Sequence, residues 1–157
     1  MTAIRRAAVL SPGQLRHLLR VTEACSRHPE RDAVILLLGF AAGLRISEVA
    51  QITLGDVMFP SGKLRTEVSL RAAITKGCRQ RVAYITAPKL IAAIVRYLTH
   101  RIDRRIGTSL QPGFRGLYPD IPLIISRRGA PFSMNVKRRT LERGRGERRD
   151  DQACDAL

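Results

Sequence analysis

The sequence contains no tryptophan, and aromatic residues make up only 4% of it. That scarcity argues against an RNA-binding sheet that stacks bases on aromatic rings. Cysteine and histidine are equally thin, at three each. Cys25, Cys78 and Cys154 form no CxxC pair, and no second ligand cluster lies nearby. A zinc site is therefore not expected, and the compartment implied is a reducing cytoplasm. No metal or cofactor is expected. Long apolar runs are absent too. The longest, Ala33 to Leu44, is about 12 residues against the roughly 20 that cross a bilayer, so it fits a buried helix and no membrane span is expected. The start, Met1-Thr2-Ala3-Ile4-Arg5-Arg6, leads into no signal-peptide core. Acid is in short supply: 13 Asp and Glu stand against 28 Lys and Arg, a formal charge of +15.

What is present fits a folded, polyanion-binding domain. The chain has 157 residues, 45% of them hydrophobic, with mean hydropathy −0.09. This is the size of one domain, able to bury roughly two thirds of its unfolded surface. So large a positive charge repels itself unless a polyanion is the partner, and the usual polyanions are nucleic acid or an anionic membrane surface.

The pattern along the chain begins with helices. Ser11, Pro12 and Gln14 make a capping box with proline at the first helical position. Leu15, Leu18, Leu19 and Thr22 then hold helical spacing, and Leu10 is placed to staple onto Leu15. A second helix is expected from Pro29 to a stop at Gly43, and a third, short one from Ile46 or Ser47. The period then falls to two. Val57 and Phe59 read as a short strand, and Leu64 to Leu70 as a half-buried one. Arg81 to Ile85 reads as the returning strand of a three-stranded antiparallel meander. Pro88 opens a helix with Leu90, Ile91, Ile94, Val95 and Leu98 on one face. Residues 107–122 read as loop, and Leu123 to Ile125 as a brief strand. A basic stretch from Ser133 has helical character as far as Arg143, and residues 143–157 are expected to be disordered. No internal repeat is present.

The segment Gly43-Leu44-Arg45-Ile46-Ser47-Glu48 follows the apolar helix and precedes the meander, and Thr75-Lys76-Gly77-Cys78-Arg79-Gln80-Arg81 forms a hairpin within it. In words, order and spacing this resembles the catalytic domain of the tyrosine recombinases, the phage-integrase family, over residues 10 to 140. The fold implied is α+β and mostly helical, with a small three-stranded sheet. The implied organisation is an N-terminal segment 1–10, a partial catalytic domain 11–142 and the tail 143–157. The resemblance makes Arg45 the first catalytic arginine and Lys76 the catalytic lysine. Glu48 is either a support for Arg45 or a simple first-turn acid favoured by the helix dipole. Arg79 and Arg81 are expected on the DNA side of the hairpin.

That chemistry explains the residue types. The family attacks a DNA phosphodiester with a tyrosine hydroxyl and uses no metal, so charge on the phosphate oxygens must be met by protein donors. Arginine donates two parallel hydrogen bonds and stays charged. A lysine beside the leaving 5′ oxygen serves as general acid. The family's H-x-x-R box and late tyrosine do not follow Lys76. His17 to Arg20 and His28 to Arg31 match the box in letters but precede Arg45, and Tyr84, Tyr97 and Tyr118 come too early for the nucleophile. The expectation is the first half of a catalytic domain, related to mobile-element integration, that binds DNA without cleaving it. The alternatives are a non-catalytic DNA-binding or regulatory module that pairs with full-length recombinase protomers, and a relic of an integrase gene.

Overall fold

The computed structural model describes residues 10–75, 79–126 and 128–132. Helix α1 runs Pro12–Cys25 and begins as its sequence dictates. The Ser11 hydroxyl accepts from the Gln14 N–H at 3.3 Å, while the Gln14 side chain accepts from the Ser11 N–H at 2.8 Å. None of its residues is fully buried, and Leu10 before it is 39% exposed. Helix α2, Pro29–Ala41, lies between α1 and the long α5, Pro88–Asp103. Val34, Leu37 and Leu38 of α2 meet Leu90, Ile94 and Leu98 of α5 in the main core. The apolar run is not buried along its whole length, since Phe40 is 46% exposed where α2 emerges toward solvent.

Two short helices follow, α3 at Ile46–Gln51 and α4 at Leu54–Val57. The expected first strand of the meander is not formed. Thr53 and Asp56 make a capping box, with Asp56 N–H donating to Thr53 Oγ1 at 3.3 Å and Thr53 N–H to Asp56 Oδ2 at 2.9 Å. This reciprocal cap turns residues 54–57 into a helical turn. Met58 keeps only a single antiparallel bridge, to Leu64. The sheet therefore has two strands, β1 at Glu67–Leu70 and β2 at Arg81–Tyr84. They pair antiparallel, Glu67 opposite Tyr84 and Leu70 opposite Arg81. Val68, Leu70 and Ala83 point into the core while Glu67, Ser69, Val82 and Tyr84 face out.

The strand expected at Leu123 to Ile125 is likewise reduced to isolated contacts. Leu123 N–H donates to Ile52 O at 2.7 Å and Ile125 bridges to Pro131, yet all three side chains are buried. The expected helix from Ser133 and the expected disorder of 143–157 lie outside the described residues.

Candidate phosphate-binding arginine site

The site begins with the way α2 stops. Gly43 sits at φ +65°, a conformation that side chains other than glycine's disfavour, and the Leu44 N–H reaches back to Leu38 O at 3.1 Å. This reversal delivers Arg45 to the N-terminus of α3 in extended backbone, with ψ 154°. Glu48, one turn into α3, folds back so that its carboxylate accepts the Arg45 backbone N–H at 2.7 Å and Arg45 Nη1 at 3.2 Å. One acid thus fixes both the backbone and the side chain of the arginine.

Glu48 is completely buried, and a second cation completes its pairing. Arg81, the first residue of β2, donates from Nε to Glu48 Oε1 at 3.1 Å and from Nη2 to Glu48 Oε2, and Nη2 also bonds to Gly43 O at 3.0 Å. Burial pushes the Glu48 carboxyl up, but hydrogen bonds from Arg81 and the Arg45 backbone, with the charge of Arg81, outweigh it and hold the group below the usual carboxylate range. The hydrogen bond with Glu48 pushes the Arg81 guanidinium the other way, above its usual value. Two guanidiniums share one carboxylate, which leaves the cluster one positive charge in excess. The Arg45 side chain is 54% exposed, so its remaining donors face solvent.

Neighbouring cations are placed differently. Arg71 reaches Gln51 O and Asp56 Oδ2, each at 3.3 Å, which ties the end of β1 to α3 and α4. Thr75 and Arg79 flank the β1–β2 connection, and the Thr75 hydroxyl donates to Arg79 O at 2.6 Å. Arg79 is exposed. Lys76 lies outside the described residues. Among the sequence-based candidates, then, Arg45, Glu48 and Arg81 come together.

The pairing of Arg81 with Glu48 could not be read locally, because the two are far apart in the chain and meet only through the register of the sheet. Tyr97 is buried, its hydroxyl accepting the Ile125 N–H at 3.4 Å, and burial pushes its pKa up. It is a packing residue. No group of three or more potential ligand side chains that could hold a metal ion occurs among the described residues.

The sequence profile of the phage integrase family matches residues 8–152, nearly the whole chain. The chain belongs to the phage integrase family. Its fold agrees with that of a solved recombinase. XerA recombinase superposes with a TM-score of 0.56 at 18% identity, over 83% of this chain and 39% of that one. The Tn1549 transposon integrase, solved with circular intermediate DNA, aligns at 22% identity over 85% of this chain and 41% of that one, with a TM-score of 0.48. The chain thus spans about two fifths of the length of these integrases. No curated protein matches it. None of the helices among the described residues is long and apolar enough to cross a membrane.

Proposed function

We propose that this integrase-family chain binds double-stranded DNA through Arg45 and does not cut it with these 157 residues alone. The observation that carries the reading is a half-exposed arginine whose backbone and guanidinium are both fixed by one buried acid. A planar fork held in that way is prepared to donate two parallel hydrogen bonds to the non-bridging oxygens of a phosphodiester. Glu48 and Arg81 act as positioning residues: Arg81 neutralises and orients the acid that orients Arg45. On this reading Lys76 takes the family's place at the leaving 5′ oxygen, as general acid, and Arg79 meets the DNA backbone. The activity to which this arrangement belongs is the integration and recombination of mobile-element DNA, without metal or nucleotide cofactor.

Strand cleavage needs a nucleophile and a second arginine, and neither an H-x-x-R box nor a tyrosine follows Lys76 at the family's position in this sequence. Loss of one member of a cooperating set forfeits nearly all of the rate, and loss of the nucleophile removes a covalent route altogether. Fluorescence-anisotropy titration of a duplex over a range of salt tests the binding half. Arg45→Gln is expected to weaken binding and to lower the salt slope by about one phosphate's worth. An unchanged slope would remove Arg45 from the interface. Covalent trapping of the chain on a nicked duplex would overturn the cleavage half.

A second reading, a regulator that pairs with full-length recombinase protomers, draws on the surroundings of Arg45. Phe40 is 46% and Ile46 74% exposed on either side of it, an apolar margin suited to a protein neighbour. Sedimentation of the chain with a full-length recombinase separates the two readings.

A further inference from the structure

At the far end of α2, about 20 Å from Arg45 by the helical rise over its 13 residues, lies a cavity of about 440 Å³. Arg27, His28, Arg31, His100, Arg101 and Arg104 line it, with Glu30 as the single acid in its wall among the described residues. Arg31 already pairs with Asp32 at 2.8 Å. Even with that charge set aside, three arginines face one glutamate.

Arg101 is what distinguishes this cavity from an ordinary basic surface. It is 1% exposed, and its guanidinium donates only to carbonyls: Nε to Ile106 O at 3.3 Å, and Nη1 to Pro122 O and Leu123 O at 3.3 and 3.1 Å. Nη2 has no hydrogen-bond partner among the described residues, and no carboxylate there pairs with the side chain. Nη2 lies against Gly107, out of reach of solvent. A buried cation without an anion is costly, and an anion held in the adjoining cavity offsets part of that cost through its charge. Burial accordingly pushes the Arg101 pKa below its usual value.

Residues of the same wall carry two further donor sets. The first-turn amides of Glu30 and Arg31 have no intrahelical acceptor, and His28, the residue before α2, does not cap them with its side chain. Ser126 Oγ accepts from the Ala130 N–H at 3.2 Å, and its hydroxyl hydrogen has no acceptor among the described residues.

We propose that this cavity binds a phosphate-class oxyanion, separately from the DNA contact at Arg45. The probe is inorganic phosphate, titrated into the full chain against chloride at matched ionic strength, with the melting temperature and the heat of binding as readouts. Phosphate is expected to raise the melting temperature above the chloride control. The double variant Arg27→Gln/Arg104→Gln is expected to lose that rise, with binding weaker by about tenfold or more. Both residues are exposed and neither side chain makes a hydrogen bond among the described residues, so this variant keeps the fold. Arg45→Gln is expected to retain the phosphate effect even if it loses DNA.

No rise over chloride, or a rise that survives in the double variant, would overturn the proposal, the latter as adventitious surface binding. Loss of the effect in Arg45→Gln alone would overturn it as well, by moving the phosphate to the other site. The duplex titration then identifies the source of the anion. If the double variant loses no more DNA affinity than a variant of two exposed arginines elsewhere, the ligand is a free oxyanion. A larger loss assigns the site to a backbone phosphate.

Discussion

Replacing Glu48 with glutamine keeps the shape of the side chain and removes its charge, leaving Arg45 and Arg81 facing one another without an acid between them. Removing one partner of a buried ion pair costs about 3–5 kcal/mol. The Arg45 and Arg81 side chains are 54% and 33% exposed, so water screens part of the uncompensated charge, and glutamine still accepts a hydrogen bond. The expected loss at neutral pH is therefore about 2 kcal/mol. For a chain of 157 residues that lowers Tm by about 4–8 °C.

The pH dependence gives a sharper check. The Glu48 carboxyl is held below its usual 4.5 in the folded protein. Its stabilisation is thus complete above the unfolded value and is lost as the pH falls through the folded one. The gap in Tm between the parent protein and Glu48→Gln should stay constant from pH 8 to about 6 and close as the pH falls below about 4.5. Calorimetric scans at several pH values measure it directly. A gap that persists unchanged into acid would show that the glutamine acts through packing or the helix cap, and that the shared carboxylate is not what holds the arginines.

Other substitutions probe the frame around this pair. Arg81→Lys replaces a fork that grips both carboxylate oxygens with a point charge, and should cost about 1–2 kcal/mol in chemical denaturation while weakening DNA binding through the loosened Arg45. Gly43→Ala places a Cβ where nothing lies within 4 Å, so only the backbone strain of φ +65° counts, and a loss of about 1 kcal/mol is expected. A loss several times larger would point to a clash. Leu38→Ala empties a fully buried position between α2 and α5 and should cost about 3 kcal/mol in denaturant titration.

Much of the helical frame is written in local signals. The Ser11 and Gln14 capping box, the prolines that open α2 and α5, and Gly43 as the stop of α2 are each decided within one turn of chain, where the partners of a hydrogen bond are neighbours in sequence. The absent third strand was decided locally as well. Thr53-Leu54-Gly55-Asp56 carries its own capping signal, which overrides the strand-like alternation of Val57 and Phe59. At the site, Arg45 and Glu48 were legible because three residues on a helix start bring them together. Arg81 was placed on the hairpin but its partner was not, because Glu48 lies 33 residues earlier and only strand register joins them.

The Thr75 hydroxyl bonded to Arg79 O closes the mouth of the β1–β2 connection, and Arg81 is anchored on Glu48 just beyond it. The entropy of bringing the two strands together is met at this clasp, upstream of anything that varies between residues 75 and 79, and lengthening a closed loop adds only slowly to its cost. The fork of Arg45 is therefore insulated from change in the segment that holds Lys76. Insertions or substitutions there can change the segment itself while the Glu48 carboxylate keeps its hold on both arginines, so that segment and the arginine cluster are free to vary independently.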